Sequence, residues 1–444
     1  MANIGKSVRI GGFVISLAFL AFVVGMAVTA TRVFPYAIFA DAAVGLDYVY
    51  NYILVRVIEP EDNPFLYVKV EAERGGVVEL DSARAQPGLT LFSSGRASAA
   101  FLVTLEGDVV HEWAYPFSEV WRYPPHIVRP VKNKSIFWRR TKVLPNGDLL
   151  AIYMASGDSP PSYGMIKIDK DSNLIWSYPE LVHHDFAVAE DGRIYAVINE
   201  IRNSKIEKLE RVKKRFGTIA WRKVTYPVLD DGVAELTADG EEIRRVSIID
   251  AFLNSDYANM LAFAQNRRWD AVHLNSVEVI TDRFARQHPE FEAGQLLISL
   301  KEISTVAVLD MDSERIVWAR RGSWREQHDA DQLENGNMMV FDNFGHLGKG
   351  GPSRVVEFDP ITGAEKWTYA GTEEKPLFSS IRSAQQVLPN GNVLITDSNN
   401  ARIIEVTRDR DIVWELINPQ SRGGKRGVLC WAERIDPARL TFLE

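Results

Sequence analysis

Three of the eight histidines in this sequence stand at equivalent positions, at the starts of repeated strand patterns. Two of them precede a turn that ends in glycine. His328 lies eight residues before Gly336, and His184 lies eight residues before Gly192. His273 begins the corresponding stretch "DAVHLNSVEVI", although that stretch lacks the Asn-Gly turn. In the other repeats, the position eight residues before the turn glycine is occupied by a basic or a hydroxyl side chain. The full set of positions is Arg139 (or its neighbour Arg140), His184, His273, His328 and Ser383.

Imidazoles grouped with cations suggest two kinds of chemistry. Three histidines could ligate a metal, with Asp185 or Asp329 orienting the rings. Alternatively, a cationic cluster could hold a sulfate or phosphate group while one histidine acts as nucleophile. The nearby cations favour the anion site, because they would repel a metal ion. These cations are Arg139, Arg140, Lys301 and Arg382.

A repeat of two hairpin units predicts how these positions come together. The first unit has an Asn-Gly or Asp-Gly turn, as in "VLPNGDLLAIY", "VAEDGRIYAVI", "QLENGNMMVFD" and "VLPNGNVLITD". Asn-Gly between alternating apolar residues is a strong hairpin signal. The second unit ends near a tryptophan, as in "MIKIDKDSNLIWSY" and "VVEFDPITGAEKWTY". Six pairs of units can be counted if "GLTLFSS" (88–94) and residues 273–300 are included.

Two hairpins make a four-stranded blade, so the repeats predict an all-β, six-bladed β-propeller over residues 88–432, with seven blades as the alternative. The first residues of the innermost strands would then cluster at one mouth of the central channel. Residues 204–224 and 250–270 interrupt the repeat and have helical patterns, so they are expected to be insertions at a face. His183 is expected to point away from the channel. The remaining histidines, which share no register, are His111, His126, His288 and His346.

The N-terminal sequence predicts export of the chain across a membrane. Residues 10–30 carry no charge and are long enough to cross a bilayer as a helix, after Lys6 and Arg9. This pattern favours a retained transmembrane anchor (1–32) with the propeller on the periplasmic side of the inner membrane. A cleaved signal peptide is the alternative. Apolar residues 36–57, within a linker spanning 33–87, are expected to contact a membrane, a membrane-protein partner or the propeller itself. Residues 433–444 are assigned to a tail.

The overall composition excludes several classes of protein. A net charge of −8 argues against a nucleic-acid partner, which would require a basic face. Cys430 is the only cysteine, so internal disulfides and multi-cysteine metal sites are excluded. No cofactor-docking motif is evident, which disfavours a quinone- or metal-dependent propeller dehydrogenase. The sequence therefore predicts no cofactor and no metal.

Four motifs, in this order and spacing, resemble those of the bacterial PAPS-independent arylsulfotransferases. They are "LVHHDFAV", "DAVHLNSVEVI", "LLISLKEISTVAVLD" and "EQHDADQLENGNMMVFDN". The resemblance covers about residues 88–432. It implies a six-bladed propeller, commonly periplasmic, that moves a sulfuryl group from an aryl sulfate to a phenol through a sulfated histidine.

The resemblance also implies roles for individual residues. His328 corresponds to the sulfated nucleophile, and His184 and His273 to the histidines that hold the sulfate and serve the phenolic oxygen. Asn275 would orient the substrate. Lys301 departs from the pattern, because the family has arginine there and lysine cannot supply a bidentate fork. Two functions therefore stay open: an active, membrane-anchored arylsulfotransferase, or an inactive propeller serving as an interaction subunit of a membrane-associated complex.

Overall fold

The computed structural model describes residues 16–28, 62–69, 75–216, 227–263, 270–348, 351–422 and 424–443. The chain divides into two compact units, residues 1–58 and residues 59–444. In the first unit, residues 16–28 form a helix whose apolar side chains are mostly exposed. Among the described residues, no helix is both long and apolar enough to cross a membrane. The remainder of the predicted 10–30 span and all of 36–57 lie outside the described residues.

The second unit is a six-bladed β-propeller, which confirms the predicted all-β class and the blade count. The strands of blade one, from the channel outward, are Leu429–Ile435, Leu89–Ser94, Ala99–Val103 and Val109–Ala114. Those of blade two are Ile136–Val143, Leu149–Ala155, Ser162–Ile168 and Leu174–Tyr178. Those of blade three are Val182–Val188, Ile194–Arg202, Val228–Leu236 and Glu242–Ser247.

The other three blades follow the same antiparallel order. The strands of blade four are Leu274–Val279, Leu296–Leu300, Thr305–Asp310 and Arg315–Arg321. Those of blade five are His328–Gln332, Met338–Asp342, Arg354–Phe358 and Glu365–Tyr369. Those of blade six are Ala384–Val387, Val393–Asp397, Arg402–Val406, Ile412–Ile417 and Gly76–Leu80. A separate small sheet comprises Tyr67–Lys69, Ser421–Arg422 and Lys425–Gly427.

The ring closes by pairing the two ends of the propeller sequence. The innermost strand of blade one is Leu429–Ile435, paired with Leu89–Ser94, so residues 88–94 form a second strand and not the start of an inner hairpin. This pairing leaves blade one without a free inner edge. Gly76–Leu80 pairs with the outer strand Ile412–Ile417 of blade six. Strands of the propeller therefore extend on both sides of residues 88–432.

The recurring tryptophans join neighbouring blades. Each of four outer-strand indoles donates its N–H to a backbone carbonyl in a turn of the next blade. The pairs are Trp113 with Gly147, Trp176 with Ala238, Trp367 with Arg408, and Trp414 with Leu105. These bonds, with the apolar faces packed between the sheets, hold the inner strands in fixed positions around the channel.

The interruptions of the repeat contain short helices. Residues 204–224 contain Glu207–Phe216, and the other insertion contains Ile248–Leu253 and the 3₁₀ segment Ala258–Phe263. These elements contact one another beside blades three and four. The other short helical segments are Phe117–Val120, Asn133–Ser135, Asp282–Gln287, Lys301–Ile303, Pro437–Arg439 and Thr441–Leu443.

Candidate active site

Irregularities at the starts of the inner strands aim polar side chains into the channel. The pairing register shifts between Val182 and Phe186 in blade three and between His328 and Asp331 in blade five. Such β-bulges bend a strand and redirect a side chain. Several non-glycine residues here adopt positive φ, a strained conformation that often marks functional sites. They are His184 (55°), His273 (53°), Asp329 (54°), Arg382 (61°) and Ser383 (76°).

The structure brings the three register histidines together at one mouth of the channel. The ring centres of His184 and His273 lie 4.9 Å apart, and those of His184 and His328 lie 6.3 Å apart. His328 is buried, whereas His184 and His273 are partly exposed. The three rings are therefore close enough for a single ligand group to contact all of them.

Asn343 fixes the tautomer of His328. The amide nitrogen of Asn343 donates to the carbonyl oxygens of Ser379 (2.8 Å) and Arg382 (3.2 Å), so its oxygen must face His328. That oxygen lies 2.9 Å from Nδ1 of His328, which must carry the proton. The lone pair of the neutral ring is therefore on Nε2. Burial, followed by the charges of Lys301 and Arg139, lowers the pKa of His328 well below its usual value. His328 is neutral at pH 7 and suited to nucleophilic attack.

His273 has the opposite electrostatic character. Its Nδ1 donates to the carboxylate of Asp270, three residues earlier in the chain. Burial, the largest single effect, opposes protonation of the ring, but the charge and the hydrogen bond of Asp270 together raise the pKa of His273. His273 is thus the member of the trio that can hold a proton at neutral pH and deliver it.

His183 lies behind His184 and contacts it directly. The two Nδ1 atoms are 2.6 Å apart, so one donates and the other accepts. Nε2 of His183 lies 3.2 Å from Asp231 but makes no hydrogen bond among the described residues. Burial, and then the nearby charge of His273, lower the pKa of His184 well below its usual value. His184 is therefore a neutral hydrogen-bonding group in the site.

Lys301 and Asn275 lie beside the histidines but are engaged with the protein. Lys301 follows the second strand of blade four, and its Nζ is 3.4 Å from Glu326 and 3.8 Å from Glu302. Its backbone N–H donates to the carbonyl of His273. Asn275 donates to the carbonyl of Gln327 at 2.8 Å and so braces the residue before His328. Its Oδ1 is buried without a hydrogen-bond partner among the described residues.

The remaining predicted residues are divided between the two ends of the channel. Arg139 is buried, donates to the carbonyl of Cys430 at 2.5 Å and influences the pKa of His184 and His328. Burial lowers its own pKa to about 10. Arg140 turns the other way, pairs with Asp185 at 2.8 Å and stacks on Trp431. Ser383 exchanges hydrogen bonds with Ser398 and anchors the start of the innermost strand of blade six.

Two functional partners were missed by sequence reasoning. Asn343 directly follows the second strand of blade five, and Asp270 precedes His273 in "DAVH". The only feature of the sequence that could have indicated them is that each is a polar residue close to the end of a strand. Neither residue shares the register that identified the histidines.

A cavity of about 790 Å³ in the channel is lined by Asp185 and Asp329, the residues after His184 and His328, and reaches the hairpin turns at the other end of the inner strands. Its lining includes hairpin-turn residues and a group of carboxyl groups. Burial raises the pKa of Glu278 to about 8 and that of Asp329 to about 7. Within the described part of the chain, no group of three or more His, Cys, Asp or Glu side chains could hold a metal ion.

The carboxyl group of Glu278 should make the propeller less stable in alkaline solution. The unfolded chain ionises this group near its usual pKa, whereas the folded protein keeps its proton up to about pH 8. Stability is therefore present below the unfolded pKa and is lost as the pH rises through the folded value. Glu278→Gln should raise the free energy of unfolding at pH 9 by roughly 1–3 kcal/mol and change it little at pH 4.

Chemical denaturation at several pH values would measure this effect. The exposed Glu334→Gln is the matched control, because its side chain is 84% exposed and should show no such pH dependence. Equal effects of the two substitutions at pH 9 would contradict the assignment.

Comparisons with known proteins agree with the fold and define the family. The model of the family described as arylsulfotransferase (ASST) matches residues 140–419, more than half of the sequence. The chain belongs to this arylsulfotransferase family. No curated protein matches the sequence.

Solved structures are similar to this chain only at a distance. A protein of unknown function from Bacteroides caccae is 11% identical, with a TM-score of 0.48, covering 77% of this chain and 99% of that one. A streptogramin B lyase is 10% identical, with a TM-score of 0.41, covering 80% and 87%. Virginiamycin B lyase from Staphylococcus aureus, in a catalytically inactive form with quinupristin, is 9% identical, with a TM-score of 0.39, covering 79% and 87%. These likenesses carry no functional argument.

Proposed function

We propose that this protein transfers a sulfuryl group from an aryl sulfate to a phenol through a sulfated His328. The observation that carries the proposal is the bond between Nδ1 of His328 and Asn343, which leaves the Nε2 lone pair free beside two other histidines. A neutral, oriented imidazole is a suitable nucleophile for the sulfur atom. Family membership supports the same reaction class.

The first half-reaction forms the covalent intermediate. Nε2 of His328 attacks sulfur, and the bond between sulfur and the aryl oxygen breaks with its electron pair going to that oxygen. The departing phenolate takes the proton of His273, whose charge Asp270 maintains. The sulfated ring keeps its Nδ1 proton, and its positive charge is stabilised by the Asn343 oxygen.

The second half-reaction reverses these steps with a new phenol. Its hydroxyl proton passes to His273, now neutral, while its oxygen attacks sulfur and the bond from sulfur to Nε2 breaks. The electron pair returns to His328, and the proton released in the first half-reaction is restored. His184, neutral and half-buried, donates or accepts a hydrogen bond at the sulfuryl or phenolic oxygen.

We also propose a location and partners for the protein. The uncharged 10–30 segment, preceded by Lys6 and Arg9, would anchor the chain in the inner membrane with the propeller on the periplasmic side. The apolar 36–57 segment would contact the membrane or a membrane protein. The substrates would be small aryl sulfates and phenols.

The ion pairs of Lys301 favour a second candidate, an inactive propeller that serves as an interaction subunit of a membrane-associated complex. Glu302 and Glu326 offset the charge of Lys301, the residue where the family has arginine. A scaffold of this kind would keep the histidines folded in place but would not become sulfated.

Trapping the intermediate separates the two candidates. The protein is mixed with a chromogenic aryl sulfate without an acceptor, quenched in alkali and digested. We expect a burst of about one phenol per protein and one added SO₃ group on the His328 peptide. The substitution His111→Asn, in the outer strand of blade one, should leave both results unchanged. Absence of burst and label with a range of donors, in folded protein, would favour the scaffold.

A further inference from the structure

The basic residues around His328 differ in how many carboxylates they pair with. Lys301 has two carboxylates within 4 Å, whereas two buried guanidinium groups on the other side of the site have no ion pair among the described residues. These two groups belong to Arg139 and Arg382. A buried charge without a partner is costly, so its retention calls for an anion that is present during function.

Both arginines keep unused hydrogen-bond donors. Arg139 donates one N–H to the carbonyl of Cys430, and its Nε has no partner. The guanidinium of Arg382 stacks over the ring of Phe137 at 4.7 Å, and one of its terminal nitrogens has no partner. Asp185 and Asp329 attract Arg139 only at longer range. The stacking holds Arg382 in place without using up its charge.

The two arginines lie close to each other, because the guanidinium of Arg382 lies over Phe137, two residues before Arg139 on the same strand. The backbone carbonyl of Arg382 accepts a hydrogen bond from Asn343, the side chain that orients His328, which places the residue beside His328. The charge of Arg139 influences His184 and His328, and the two arginines also influence each other. Such like charges lie close together where a shared anion offsets their repulsion.

We propose that Arg139 and Arg382 form the clamp that binds the non-bridging oxygens of the sulfuryl group, in place of Lys301. Guanidinium groups suit this task because their planar N–H groups match two oxygens at once. This proposal rests on the sulfuryl transfer proposed above and assigns its charge stabilisation. In this arrangement the sulfuryl group does not depend on Lys301, whose charge pairs with Glu302 and Glu326.

The test uses inorganic sulfate as the probe, measured by isothermal titration with the purified full chain. Wild-type protein should bind sulfate, and Arg382→Gln and Arg139→Gln should each weaken binding about tenfold or more. Arg382→Lys keeps the charge but loses the paired N–H donors. Its affinity for sulfate should lie between those of wild type and Arg382→Gln. Lys301→Gln should weaken binding by less than about threefold. The surface substitution Arg193→Gln is the control for loss of positive charge.

Thermal unfolding distinguishes the clamp from a merely structural role. Removing an unpaired buried charge should leave the melting temperature of Arg382→Gln unchanged or raised, whereas a structural arginine would leave the variant less stable. The clamp assignment is overturned if wild type binds no sulfate, or if Lys301→Gln weakens binding more than Arg382→Gln. If sulfate binds through Arg382 but the protein shows no turnover, the transferase proposal fails and the clamp proposal stands. If Arg382→Gln turns over as fast as wild type, the clamp proposal fails and the transferase proposal stands.

Discussion

Replacement of His328 by alanine should lower kcat/KM for the aryl sulfate by at least about four orders of magnitude. In the proposed reaction this side chain supplies the nucleophile, and its neighbours offer no substitute in the same geometry. His184 is also neutral, but its Nδ1 contacts His183 and not a fixed amide oxygen. Without His328, the reaction would require direct attack of one phenol on another's sulfate, which bypasses the covalent route.

Steady-state rates over a range of donors and acceptors measure this loss. His111→Asn again provides a control. His111 lies in the outer strand of blade one, where it contacts the carbonyl of Lys170, and is remote from the channel. Circular dichroism and melting temperature check the fold of the alanine variant. Turnover within tenfold of wild type, in folded protein, would show that His328 is not the nucleophile.

Much of the fold follows from local sequence signals. The turn glycines at 147, 192, 336 and 391 all have φ between 85° and 88°, as the hairpin motif requires. Because the hairpins repeat, their strand starts fall at one mouth, and the register histidines meet there. Closure of the ring could not be deduced in the same way. The strand Leu429–Ile435 has the same pattern as any inner strand, and only its pairing with Leu89–Ser94 shows where it belongs.

The chemistry of the site depends on contacts that the register does not contain. Asn343 is distant from Ser379 and Arg382 in sequence, so its fixed amide is evident only in three dimensions. Lys301 was expected to supply charge to the site, and its charge does lower the pKa of His328, while Glu326 approaches it from the loop before blade five. Residue type identifies a cation, whereas its availability depends on which carboxylates pack beside it.

Asp270→Asn should lower kcat/KM at pH 8 by about 10²-fold or more and move the alkaline limb of the pH profile to lower pH. In the proposed reaction the alkaline limb reflects loss of the His273 proton, which the phenolate needs as it leaves. The Asp270 carboxylate raises the pKa of His273 against the effect of burial. Once that charge is removed, burial dominates and the pKa falls. His328 stays neutral throughout this range, because its pKa is already well below the usual value.

The pH dependence of kcat/KM from pH 5 to 10 measures the shift, with Asp256→Asn as the matched control. Asp256 is an exposed carboxylate in the same insertion, so its loss changes the net charge equally without touching His273. The loss of kcat/KM in Asp270→Asn should be smaller for donors with better leaving groups, because a stable phenolate depends less on protonation by an acid. An unchanged alkaline limb, or an equal loss for good and poor leaving groups, would remove His273 from the role of proton donor.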